Sequence, residues 1–201
     1  MRATSLVTLL LAGCSLLHHP PTLPEPVNLI AVMPIEREEN ATPAESGERI
    51  APEAERVMTA QVYDVLSSSP RWRFVPDLTV RQALNGLKSD GDLASRARAL
   101  GKAVNADAVL CGTVSRYIER VGTEYGARQP AAVGITLQLV SVQSGSVLWK
   151  NSFDQRQQAL SANLFNWWQF WRGGPRWFSA QEFAHLGVEH LLDDLARKIG
   201  D

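Results

Sequence analysis

Apolar positions change period several times along this chain, and each change marks an element. Val27, Leu29, Ile30, Ala31, Val32, Met33 and Ile35 make a nearly continuous apolar run, the pattern of a strand covered on both faces. A polar loop with Asn40, Pro43 and Gly47 follows. Ile50, Ala54, Val57, Met58, Val62, Val65 and Leu66 then recur at helical spacing, with Pro52 tolerated in the first turn. Ser67-Ser68-Ser69-Pro70 stops that helix, and Arg71 to Val75 alternates as a short strand does. Asp77 is the expected N-cap of a helix to about Lys88, and Asp92 that of a second to about Val104.

Three strand-like runs come next: Ala108 to Ile118, Ala131 to Val142, and Val147 to about Gln157. Ser144-Gly145 predicts a tight hairpin between the last two, and Gly122 to Pro130 a longer, exposed turn before them. The chain closes with a helix from about Ser179 to Ile199. Its expected inward stripe is Phe183, Leu186, Gly187, His190, Leu191, Leu195 and Ile199, and Ser179 with Glu182 forms a capping box. The order β-α-β-α-α-β-β-β-α predicts an α/β (α+β) domain over residues 27–201, one mixed sheet of about five strands packed with about four helices.

The segment before this domain has a different character. Arg2 precedes an apolar run from Ala3 to Ala12, and Leu11-Ala12-Gly13-Cys14 closes it. The run is roughly half of the about 20 residues that a membrane span needs. It has the build of a signal peptide, and its last four residues resemble the lipobox of bacterial lipoproteins. That resemblance implies a signal peptide over residues 1–13 and acyl chains of the palmitate type on Cys14, with removal of the signal before it. Several chains together hold a protein at a membrane essentially permanently. In lipoproteins an Asp after the cysteine commonly retains the protein in the inner membrane, so Ser15 implies the outer membrane. Residues 14–26, with Pro20, Pro21, Pro24 and Pro26, read as a tether of polyproline type reaching roughly 37 Å.

Composition narrows the function classes. Net charge is −1 and no basic run stands out, which argues against nucleic acid as a partner. Of the two cysteines, Cys111 lies in the apolar run Ala108 to Val114 and reads as a small core hydrophobe. The sequence has no Gly-x-Ser-x-Gly elbow, His-Glu-x-x-His helix or phosphate-cradling Gly-rich loop. His185 and His190 stand about 140° apart around a helix and cannot share a metal as i, i+4 residues do. His18-His19 alone do not make a site, and Asp193-Asp194 with Arg197 and Lys198 read as a solvated face. No catalytic residue, metal, cofactor or small-molecule substrate is expected. An enzyme would need a polar pocket near His185, Glu189 or Asp154.

The unusual segment is residues 160–178. Trp167, Trp168, Trp171 and Trp177 lie in it with Phe165, Phe170 and Phe178, and Arg172 precedes the break at Gly173-Gly174-Pro175. Each aromatic can remove about 150–250 Å² from water, so burial of the group is expected. Three burials compete: packing over the sheet as core, contact with another protein or a second copy, and insertion at the membrane interface. The candidate contact residues for a partner or the membrane are Trp167, Trp168, Trp171, Arg172 and Trp177.

Three stretches carry a further resemblance: Asn28 to Pro34, Gly101 to Val114, and Ile135 to Trp149 with its Leu-Val-Ser-Val-Gln-Ser-Gly-Ser-Val-Leu-Trp run. They are similar to a group of periplasmic lipoproteins and domains. The group includes the soluble domain of the curli secretion channel, the lipoprotein activators of penicillin-binding proteins, and the amino-terminal domain of the translocation protein of the Tol system. The matched positions are core and turn residues, which specify a fold more than a task. Strands spare for transmembrane hairpins are lacking, so the resemblance does not extend to a pore. The activators reach across the periplasm on a long linker, whereas this tether is short. The resemblance implies a lipid-anchored, non-catalytic adaptor or accessory protein of an envelope assembly, secretion or transport system, with its domain in the periplasm. The alternative is a self-associating structural subunit of a ring-shaped envelope complex.

Overall fold

The computed structural model describes residues 26–38, 50–71, 73–87, 90–158 and 176–199. The apolar run after Asp107 becomes the central strand β3 (Ala108–Ile118). Strands β1 (Ile30–Val32) and β2 (Glu36–Arg37) both run parallel to it on one side, with Ile30 opposite Ala108 and Glu36 opposite Thr113. On the other side β6 (Ala132–Ser141) is antiparallel, with Leu139 opposite Leu110, and β7 (Val147–Arg156) pairs outside β6. The result is one mixed five-stranded sheet.

Two predicted strands are shorter than the sequence suggests. The 27–35 run breaks at Met33-Pro34-Ile35 before pairing resumes in β2, since Pro34 has no N–H to give to a ladder. The 71–75 strand shrinks to one bridge between Phe74 and Ile30, flanked by bonds of 2.9 Å from Ile30 N–H to Arg73 O and from Val75 N–H to Ile30 O. In the opposite direction, Gly122 to Pro130 is more than a turn. It folds as a separate two-stranded hairpin of β4 (Val121–Thr123) and β5 (Gly126–Gln129), with Gly122 at φ +117°, a conformation that favours glycine. The β6–β7 connection is five residues, 142–146, rather than a two-residue turn. Ser141 bonds both to Gly145 N–H and to Ser146 O across it.

Side chains alternate across the strands, and each face of the sheet receives a helix pair. Ile30, Val32, Leu110, Val114, Ile135, Leu137, Leu139 and Phe153 bury against α1 (Ala54–Ser67) and α4 (Ala180–Ile199). Ala31, Met33, Val109, Cys111 and Val140 bury against α2 (Asp77–Leu84) and α3 (Leu93–Ala103). Cys111 is a fully buried core residue, and burial pushes its thiol up to about 11.

The caps follow the sequence unevenly. Asp92 caps α3 by accepting from Ser95 N–H at 2.9 Å. Asp77 lies inside α2, whose N-cap is Pro76, and it pairs one turn on with Arg81 at 2.7 Å. On α4 the buried arc is centred near Leu191 and includes Phe183, Ala184, Val188, Leu192 and Leu195. His190, about 100° around the axis from Leu191, is exposed rather than part of the stripe.

Candidate partner-binding surface

Beyond Ile118 the chain leaves the main sheet, and at this end the last described part of the Trp-rich segment is fixed. Gln157 is the anchor. It is almost fully buried, its Nε2 donates to Arg176 O, and its Oε1 accepts from Phe178 N–H, both at 2.8 Å. Trp177 sits between these two bonds. Its N–H donates to Glu124 O at 2.7 Å and its carbonyl accepts from Arg120 Nη1, so the backbone of Trp177 is gripped by the β4–β5 hairpin and its approach. Glu119 extends the grip: its Oε1 accepts from Ala180 N–H at 3.0 Å, in the first turn of α4.

The Ser179–Glu182 capping box forms as the sequence predicts, with Ser179 N–H to Glu182 Oε2 at 2.9 Å and Glu182 N–H to Ser179 Oγ at 3.2 Å. Arg176 joins the charges here. It lies 2.7 Å from Glu182 and 3.7 Å from Glu124, and its guanidinium stacks 5.3 Å from the centre of the Phe178 ring. Burial alone would raise the Glu182 carboxyl, but Ser179 N–H and Arg176 outweigh it and hold the group below its ordinary range.

This frame presents an aromatic face. Phe178 turns inward and stacks on Phe183, whereas Trp177 stays half-buried. Tyr125 stands at the hairpin tip 82% exposed, and Val121 on β4 is also exposed. Neither Tyr125 nor Gln157 stands out in the sequence as a site residue. The Glu124-Tyr125-Gly126 string reads as loop, and nothing local shows that Gln157 will be buried. Of the predicted contact residues, Trp177 is placed at this surface. Trp167, Trp168, Trp171, Arg172 and the lipidation candidate Cys14 lie outside the described residues.

The residues considered for chemistry do not converge. His185 Nδ1 is 2.9 Å from Gln61 Oε1 and 3.4 Å from Asp64 on α1, whereas Asp154 pairs with Arg116 of β3 at 2.8 Å. Glu189 lines a separate cleft of about 400 Å³ between α1 and α4, with Arg71, Asp193 and Arg197. Asp194 pairs with Arg197 at 3.1 Å as expected of a solvated face, but it also reaches inward to Trp149 and Asn151.

The described residues thus form a mixed sheet with a helix pair on each face and an aromatic knob at one end, a fold of the α/β class. Residues 54–154 match the family of the peptidoglycan-synthase activator LpoB, and the chain belongs to that family. Its members are non-catalytic regulators, and this protein is an accessory protein rather than an enzyme. Similar solved structures include the PelC dodecamer from Paraburkholderia phytofirmans, at 17% identity over 89% of this chain and 94% of that one, TM-score 0.49. Lipoprotein GNA1162 from Neisseria meningitidis aligns at 20% identity over 84% and 96%, TM-score 0.49. The LpoB C-terminal domain from Salmonella enterica aligns at 20% identity over 68% and 88%, TM-score 0.43. No curated protein sequence matches the chain.

Proposed function

We propose that the protein is an outer-membrane lipoprotein, anchored through acylated Cys14, whose periplasmic domain acts as a non-catalytic adaptor on another envelope protein. The proposed contact surface is the β4–β5 hairpin with Tyr125, joined to Trp177 and to Trp167, Trp168, Trp171 and Arg172 of the Trp-rich segment. The exposed Tyr125 beside the backbone-clamped Trp177 carries this reading. Rigidly held Tyr and Trp are the side chains that concentrate energy at interfaces, because they bury much area for few frozen torsions. Family membership supports a protein partner, and a peptidoglycan synthase is the partner class that the family's name suggests. A tether of roughly 37 Å favours a partner that itself approaches the outer membrane.

The test is photo-crosslinking in cells, with a photoreactive aromatic replacing Tyr125 in one strain and Trp168 in another. A shared adduct with one envelope protein, identified by mass spectrometry, supports the adaptor reading. Adducts confined to lipid, or to the protein's own core, overturn it. Addition of the purified domain to a peptidoglycan synthase then decides whether that enzyme is the target: the expected sign is faster glycan polymerisation.

A further inference from the structure

We propose that the sheet edge at Phe74 is a docking groove for a short, extended, acidic segment of a partner protein, which adds to the sheet as one more strand. Ile30 N–H donates to Arg73 O, and Ile30 O accepts from Val75 N–H, both at 2.9 Å. In such a parallel bridge the residue between them, Phe74, turns its own N–H and C=O the other way, away from β1. Neither group has a partner among the described residues. The sheet therefore ends here on an unpaired donor and an unpaired acceptor, the groups that strand addition uses.

The surroundings of this edge select its occupant. Phe74 lines a groove of about 560 Å³ with Arg56, Ala60 and Tyr63 of α1 on one side and Asp77 and Arg81 of α2 on the other. α1 covers one face of the sheet and α2 the opposite face, so the edge lies between two helices. Pro70 and Pro76 bracket the edge and cannot donate to a longer ladder. A single strand fits between such walls, whereas a second sheet would meet the helices first. A peptide segment is favoured over a second copy joined sheet to sheet.

The side chains specify its chemistry. Tyr63 and Phe74 meet edge to face with ring centres 5.9 Å apart, and Tyr63 gives its hydroxyl to Val32 O at 3.3 Å. What the two rings offer the groove is apolar surface, a seat for one apolar side chain of the incoming strand. Arg56, Arg73 and Arg81 stand at the groove and its edge strand against Asp64 and Asp77, three guanidinium groups against two carboxylates. Asp77 holds Arg81 at 2.7 Å, whereas the exposed Arg56 and Arg73 have no ion partner among the described residues. Those two cations favour carboxylates flanking the seated residue. This contact is independent of the one proposed at Tyr125 and Trp177.

The test uses the full-length protein in detergent and hydrogen exchange at the Phe74 amide. The probe is an acetylated hexapeptide that alternates valine with glutamate around a central phenylalanine. The Phe74 amide should exchange as an open amide in the protein alone and slow strongly as the peptide saturates it. The same peptide with N-methylated backbone nitrogens, or with lysine in place of glutamate, should give no such protection. Arg56→Glu should weaken the acidic peptide about fivefold. Ala60→Trp, at an exposed position of the groove wall, should abolish binding without unfolding the domain. Protection of Phe74 before any peptide is added overturns the proposal. So does the absence of saturable binding by the acidic peptide at millimolar concentration, equal binding of the N-methylated peptide, or undiminished binding to a folded Ala60→Trp variant.

Discussion

Trp149 Nε1 donates to Asp194 Oδ2 across 2.9 Å, tying edge strand β7 to the last turns of α4. Asn151 Nδ2 reaches the same oxygen at 3.0 Å, and Arg197 holds the other at 3.1 Å. Led by the Trp149 bond, these donors hold the Asp194 carboxyl below its ordinary value. A depressed carboxylate contributes stability that is present above its unfolded value and lost as pH falls through its folded one. Denaturant unfolding should therefore show a stability component that is intact above about pH 5 and declines through the carboxylate range. Asp194→Asn should flatten that decline while keeping an acceptor for Trp149. Asp194→Ala should cost about 1–3 kcal/mol at neutral pH, because it strands the buried indole N–H.

Gln157 makes a second, local prediction. Gln157→Leu removes both side-chain bonds to residues 176 and 178 and takes the acceptor from the buried Phe178 N–H, at a cost of about 1–3 kcal/mol. The loss should be regional. Hydrogen exchange at Phe178 should accelerate strongly, while amides of β3 and β6 keep their protection.

Gly187 on α4 faces the ring of Phe153, and a Cβ there would lie 2.7 Å from it. Gly187→Ala is normally favourable in a helix, but here the clash reverses the sign. We expect a loss of about 1–3 kcal/mol in thermal or denaturant unfolding. A Phe153→Leu partner change should recover part of it.

Tyr125 separates folding from binding. With its side chain in solvent, Tyr125→Ala should leave stability unchanged within about 0.5 kcal/mol. The same change should lower the yield of the Trp168 crosslink to the envelope partner. A stable variant with undiminished crosslinking would remove Tyr125 from the proposed surface.

The fold was readable where one local rule decided it. Ser179 with Glu182 announced the start of α4, Asp92 that of α3, and the alternation of Val133, Ile135, Leu137 and Leu139 the strand β6. It was unreadable where pairing, not pattern, made the element. β4 and β5 are short, mostly exposed and rich in turn residues, and they exist because Gly122 permits the bulge and close approach to Gly126 within the hairpin and Trp177 N–H binds Glu124 O. The run to Ile35 looked like one strand because hydrophobicity does not register the missing N–H of Pro34. The site was legible as a composition, the tryptophans of 160–178, but not as a place. Of its supports, Glu119 and Arg120 lie far before it in sequence and Gln157 just ahead of it, and they meet Trp177 and its neighbours only when β3, β7 and α4 are assembled.

The domain also has a direction. Asn28 and Leu29 N–H groups both bind the Asp107 carboxylate at 2.9 Å, so the chain enters the fold beside the first residue of β3. The hairpin and Trp177 lie past the last residue of that strand. At about 3.3 Å per residue the two ends of β3 are roughly 33 Å apart, nearly the reach of the proposed tether. The sheet thus works as a rigid boom: an anchor at Cys14 would set where its foot stands, and the eleven residues of β3 set how far beyond the foot the aromatic tip is carried. With the proposed anchor, a shorter proposed tether would draw the whole surface toward the membrane without turning it, whereas a residue inserted into β3 would rotate the tip and break its grip on Trp177.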